Sequence, residues 1–259
     1  MSRQCGQRQE GELDLELKGR LALITGASQG IGEGIAEVLA EEGCALRLVA
    51  RSAENLDSVA RGLRERFAAD VQILPIDLMA EGAAERIAAW AGDVDILINN
   101  AGDTTYGDLW NVDDTTWKAS FQLKFFSAVD LSRLVYPGMK ARGSGVILNN
   151  IGILGETVDF NFMIGTSVCS AMESFTRSLG GGSLNDGIGV VGVSPGAVAT
   201  PLLVRTVGEE GAKRFPGQRA ATVREIAELF AFLASPRSGY TSGTTVTIDG
   251  GLASRGVFG

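Results

Sequence analysis

The sequence predicts one doubly wound α/β domain built on a seven-stranded parallel sheet, and two observations carry that expectation. Short apolar runs rich in β-formers recur seven times along the 259 residues, and every gap between them holds a longer segment of helical period. A glycine-rich turn joins the first run to the first helical segment. Strands alternating with helices require a parallel sheet covered on both faces.

In order, the runs are RLALIT (20–25), ALRLVA (45–50), VQILPI (71–76), DILINN (95–100), GVILNN (145–150), IGVVGV (188–193) and TTVTID (244–249). Between them lie GEGIAEVLAEEG (32–43), AENLDSVARGLRERFA (53–68), AAERIAAWAG (83–92), the long segment 114–143, SAMESFTRSLGG (170–181) and TVREIAELFAFLAS (222–235). Each repeats apolar residues at steps of three and four. GTSVC (165–169) is read as lying just ahead of its helix. The expected domain is 18–259, preceded by a polar tail over 1–17 that lacks the apolar core of a signal peptide.

Composition narrows the function. A hydrophobic fraction of 45% suits one large core, and 35 scattered glycines read as turn and close-approach residues. The net charge of −8 and the lack of a basic cluster argue against a nucleic-acid partner. No run reaches the roughly 18 apolar residues of a membrane span, so no membrane partner is expected. The cysteines, Cys5, Cys44 and Cys169, lack metal-ligand spacing and suit a reducing cytoplasm. Histidine is absent, which removes Ser-His-Asp hydrolysis and histidine metal sites. No metal site is expected.

The turn ITGASQGIGEGIAEVLA places Gly26, Gly30 and Gly32 where a backbone turns tightly and approaches a pyrophosphate. Its Thr-Gly-x-x-x-Gly-x-Gly spacing, followed in order by NNAG (99–102), SPGAVATPL (194–202) and IDGG (248–251), resembles the short-chain dehydrogenase/reductase family over roughly residues 18–252. The resemblance implies a Rossmann-type fold and a nicotinamide cofactor. It implies that Gly26, Ser28, Gly30, Ile31 and Gly32 line the phosphates and that Asp77 and Leu78 line the adenine. It also implies that Asn99, Ala101 and Gly102 flank the adjoining ribose, and that Pro195, Gly196 and Val198 meet the nicotinamide. Where NAD-preferring members carry an acid after the second strand, this chain has Ala50 and then Arg51. Arg51 can hold a 2′-phosphate by charge-assisted hydrogen bonds, so NADP(H) is favoured over NAD(H).

Family members gather an Asn, a Ser, a Tyr and a Lys around the nicotinamide for proton transfer and ribose binding. Trp117 opens the matching helix, and the asparagine position seven residues on is Lys124. GVILNNIGILG aligns with the pattern Gly-x-Ile-Val-Asn-Ile-Ser-Ser, which puts Gly152 at the serine. SFTRSLG anchors Gly165 at the tyrosine and Cys169 at the lysine. The resemblance is therefore to an atypical member with all four positions changed. Phe162, one turn before Gly165, has a ring without a hydroxyl; Tyr106 reads as a substrate-pocket or packing residue.

Lys124 has two readings: a desolvated acid or electrostatic anchor, or a lysine snorkelling at the helix surface. Cys169 reads as a small packing residue, since no histidine can activate it. Three functions stay open: an oxidoreductase on a small carbonyl or alcohol with a non-standard proton route, a dinucleotide-binding protein without turnover, and a lyase or isomerase in the same pocket. Residues 201–220 would be the substrate lid. The apolar excess of FQLKFFSAVDLSRLVY (121–136) predicts a homo-oligomer, a tetramer or dimer.

Overall fold

The computed structural model describes residues 13–103 and 105–254. Seven strands form one sheet: β1 (Leu21–Thr25), β2 (Ala45–Ala50), β3 (Val71–Pro75), β4 (Ile96–Asn99), β5 (Gly145–Asn150), β6 (Ile188–Pro195) and β7 (Thr244–Ile248). Their order is β3-β2-β1-β4-β5-β6-β7, and every pairing is parallel. The winding direction reverses between β1 and β4, so the loops leaving these two strands part and open a crevice at their C-terminal ends. Near-continuous apolar strands such as Ile96–Asn99, buried at all four residues, follow from cover on both faces.

Alternate strand residues feed two cores. Ile24 and Leu48 point to one face, where α1 (Gly30–Glu41) and α8 (Val223–Ala234) pack with Ile35 and Phe230 fully buried. Leu23 and Leu97 point to the other, beneath α3 (Ala83–Ala91) and α5 (Ser127–Arg142), with Ile87 and Leu131. The remaining helices are α2 (Ala53–Phe67), α4 (Asp114–Phe121), α6 (Met163–Ser183) and α7 (Pro201–Ala212). Helix α8 starts at a capping box in which Thr222 and Glu225 satisfy each other's backbone N–H groups.

Three expectations need correction. The segment 114–143 is not one helix: α4 and α5 are separated by a π-helical turn, Gln122–Phe126, in which the wider hydrogen-bonding step re-aims the side chains of that turn. GTSVC lies inside α6, which begins at Met163, so Gly165 and Cys169 are helical residues. Leu17, placed in the tail by its sequence, belongs to the core: it is 1% exposed, and its carbonyl accepts from the Cys44 thiol at 3.4 Å. No helix among the described residues is long and apolar enough to cross a membrane.

Candidate functional site

The crevice at the switch point is a cleft of about 550 Å³. Its floor is the turn from β1 to α1, where Gly26 and Gly30 have φ of 66° and 63°, a region that L side chains rarely enter. A Cβ at Gly26 would press on the Ala101 Cα at 3.0 Å and on the Asn100 amide at 2.9 Å. This close approach ties the glycine turn to the strand beside it. Thr25 Oγ1 accepts from the backbone N–H of both Asn100 and Ala101 at 3.0 Å, while Asn100 Nδ2 donates to the carbonyls of Thr25 (2.9 Å) and Gly26 (3.2 Å). Helix α1 starts at Gln29, whose side chain makes no cap bond, while Glu33 in its first turn faces the Gly30 N–H.

Ser28, Gly30, Ile31 and Gly32 line this part of the cleft with Gly26. At one end Ala50, Arg51, Ser52 and Asn55 form the wall beside Asp77 and Leu78. Ser52 caps α2 by accepting from Asn55 N at 3.3 Å, which fixes the chain just after Arg51. Arg51 is exposed and has no hydrogen-bond or ion-pair partner among the described residues. The other end is lined by Asn100, Ala101, Gly102, Asn150, Thr200 and Leu202, together with Leu123 and Asp103.

Four sequence-derived site residues lie elsewhere. Asn99 is 5% exposed, and its side chain points into the sheet interior, donating to Asn149 Oδ1 at 2.9 Å. Strand alternation dictates this, and Asn100, one residue on, takes the cleft position. Pro195, Gly196 and Val198 are not among the cleft-lining residues. Pro195 ends β6, Gly196 N donates to Ile248 O at 3.0 Å, and Val198 is buried and bridged to Ala221. Thr200 reaches the cleft from that segment instead, its methyl 3.4 Å from where a Gly30 Cβ would stand.

Of the four positions expected to match the family's proton-transfer residues, two converge on one carbonyl. Lys124, on the π-helical turn, lays its stem along Gly102 and donates from Nζ to Ile151 O at 2.5 Å. Cys169, 1% exposed on α6, donates from Sγ to the same oxygen at 3.0 Å. Burial pushes the Cys169 thiol up in pKa, and the nearby Lys124 charge pulls the other way without cancelling it. The thiol is therefore neutral at physiological pH. Gly152 has φ 95° and offers no side chain; Gly165 is buried in α6 and offers none either. The loops after β4 and β5 meet at a backbone bond from Gly107 N to Asn161 O (2.7 Å), with Tyr106 packed edge-on against Phe162 at 4.8 Å.

One turn beyond Cys169, Glu173 is held with a side chain 12% exposed, Oε2 4.0 Å from Arg177 and Oε1 without a hydrogen-bond partner among the described residues. Burial raises its pKa, the Arg177 charge pulls the other way without cancelling the rise, and Glu156 adds to it. A carboxyl whose folded pKa is raised contributes stability below its unfolded pKa, and that contribution is lost as pH rises through the folded value. Glu173→Gln is accordingly expected to unfold at a higher temperature than wild type at pH 7, with the difference shrinking towards pH 4. Thermal unfolding at the two pH values checks this; equal midpoints at pH 7 would show that the carboxylate carries no penalty.

A parallel sheet with its switch point between β1 and β4, a glycine turn open to a phosphate and an uncapped helix N-terminus define a Rossmann-type nucleotide-binding protein. The chain belongs to the short-chain dehydrogenase/reductase family. Residues 26–253 match the family model described as enoyl-(acyl carrier protein) reductase. It is 33% identical to the uncharacterized oxidoreductase YmfI of Bacillus subtilis, over 90% of this chain and 98% of that protein. It is 31% identical to the 3-oxoacyl-[acyl-carrier-protein] reductase FabG of Haemophilus influenzae, over 91% and 99%. The crystal structure of L-sorbose reductase from Gluconobacter frateurii, complexed with NADPH and L-sorbose, superposes with a TM-score of 0.88 at 31% identity, covering 94% of this chain and all of that one.

Proposed function

We propose that this chain is an NADP(H)-binding oxidoreductase for a small carbonyl or alcohol, weak on ordinary carbonyls because its site lacks the Asn-Ser-Tyr-Lys set. The observation that carries this reading is the pairing of an intact cleft with the convergence of Lys124 and Cys169 on the Ile151 carbonyl. When bound, the nicotinamide supplies or accepts the hydride. The chain's own part is to hold the dinucleotide and to manage the proton and charge on the substrate oxygen. Gly152 and Gly165 bring no hydroxyl to that task, and the buried Cys169 thiol carries no charge and commits its one proton to Ile151 O, so the Lys124 ammonium is the group left to serve as acid or electrostatic anchor. Asp77, Leu78 and the glycine turn would hold the adenosine and phosphates, and the exposed Arg51 guanidinium would face a 2′-phosphate.

Calorimetric titration with NADPH and NADH tests the binding half of this reading. NADPH is expected to bind more tightly. Binding of neither, or tighter binding of NADH, would defeat it. A second reading, a dinucleotide-binding protein without turnover, is favoured by the simultaneous lack of side-chain donors at 152 and 165.

The same reading includes a cytoplasmic homo-oligomer. The buried, unbridged thiols of Cys44 and Cys169 suit a reducing compartment. An exposed apolar groove of about 310 Å³ runs along α4 and the π-helical turn between Trp117, Phe121 and Phe126, and Phe126 is 46% exposed. A helix face of this kind suits a self-complementary two-fold contact. Light scattering at micromolar concentration is expected to give a tetramer or dimer, and Phe126→Asp to shift it towards monomer. A wild-type monomer would overturn the assignment.

A further inference from the structure

The carboxamide of Asn150 is a polar group in the cleft that the proton-transfer positions do not account for. The strand pattern Gly-x-Ile-Val-Asn-Ile-Ser-Ser carries an isoleucine where this chain has Asn150. Asn150 is half-buried at the strand end, where a polar group needs partners for its donor and its acceptor alike. Its neighbour Asn149 points into the interior, so alternation turns Asn150 to the opposite face, towards Gly26 and the cleft it lines.

The orientation of this amide is over-determined by its partners. Asn100 Nδ2 is committed to two carbonyl oxygens, those of Thr25 and Gly26, and only a nitrogen can donate to them. Asn100 Oδ1 is thereby aimed at Asn150, and an oxygen can be met there only by a nitrogen. Asn150 Nδ2 fills that role at 2.8 Å. Flipping either amide would set two donors or two acceptors against each other. Asn150 Oδ1 is the atom left over, and no group among the described residues donates to it. The arrangement is a fixed acceptor at the β4–β5 end of the cleft, opposite the Arg51 and Asp77 end.

We propose that Asn150 Oδ1 accepts a hydrogen bond from the nicotinamide half of the bound dinucleotide, making Asn150 a cofactor-positioning residue, on the reading that the cleft holds NADP(H). The donor is a neutral O–H or N–H: a hydroxyl of the nicotinamide ribose or the ring carboxamide. The contact supplies a ribose-side or amide-side hold in a site where Cys169 brings no ammonium.

The test is calorimetric titration of wild type, Asn150→Leu and Asn150→Ala with NADP⁺, with its acetylpyridine analogue, which lacks the amide N–H, and with 2′-phospho-AMP, which lacks the nicotinamide half. Both variants are expected to bind NADP⁺ about threefold to tenfold more weakly, the range of one net hydrogen bond, and 2′-phospho-AMP as wild type does. A loss that persists with the analogue assigns the donor to the ribose; a loss that vanishes assigns it to the carboxamide. NADP⁺ affinity unchanged in both variants, or lost equally for 2′-phospho-AMP, would overturn the proposal. Wild type binding neither ligand would instead overturn the reading of the cleft on which it rests. Leucine restores the apolar character of the strand pattern and alanine removes bulk, so one variant reports if the other does not fold.

Discussion

Lys124→Met is expected to abolish whatever slow NADPH-dependent carbonyl turnover the wild type shows, one positioned proton donor contributing about 10²- to 10⁴-fold, while leaving NADPH affinity nearly unchanged. Methionine keeps the stem that lies along Gly102, so the cleft wall holds its shape, and only the ammonium and its bond to Ile151 O are removed. The effect falls on kcat because charge develops on the substrate oxygen only as the hydride moves. No second group stands ready to compensate: Gly152 and Gly165 have no side chains, and the buried Cys169 thiol has its one proton committed to Ile151 O. Steady-state rates and binding measured on the same preparations decide the matter. Turnover that survives the substitution would remove Lys124 from the mechanism and leave water or the substrate as the proton source.

Gly26→Val is expected to weaken NADPH binding about 100-fold or more. Two penalties combine there. A β-branched residue at φ 66° costs about 1–2 kcal/mol, and the new Cβ is forced against the Ala101 backbone and the Asn100 amide, an overpacking of about 1–3 kcal/mol. The turn can relieve both only by swinging away from β4. That movement breaks the Asn100 bonds to Thr25 and Gly26 and displaces the start of α1 from the phosphate position. Calorimetry with NADPH checks this, with thermal unfolding alongside to separate lost binding from lost fold. Binding retained within a few fold would show that the turn does not hold the phosphates.

What was legible in the sequence and what was not divides along physical lines. All seven strands fall within a residue or two of their apolar runs: the inner strands are buried on both faces and leave a signal at nearly every position, while the edge strands β3 and β7 are marked by their β-branched and apolar residues alone. The parity of a polar residue at a strand end is weaker, because a strand buried on both faces gives no sequence sign of which face opens on the cleft; Asn99 is the residue the motif points to, and Asn100 is the one that lines it. The start of α6 was hidden by Gly165, Thr166 and Ser167, poor helix formers whose helicity comes from packing of Val168, Cys169 and Met172. The π-helical turn that carries Lys124 left no trace, since one added residue in a helical period is invisible over five positions. Thr200 lies within SPGAVATPL and Asn150 within GVILNN, but neither motif says which of its residues faces the cleft; only the fold shows that.

The central claim is that the dinucleotide cleft is kept while the usual proton-transfer groups are gone. It is tested most directly by loading the wild-type protein with NADPH, confirming saturation by calorimetry, and following the absorbance of the reduced nicotinamide across a broad panel of ketones and aldehydes. Saturable NADPH binding is expected, with little or no carbonyl-dependent loss of that absorbance. Rapid turnover on several simple carbonyls would contradict it and place the proton-transfer residues elsewhere in the chain.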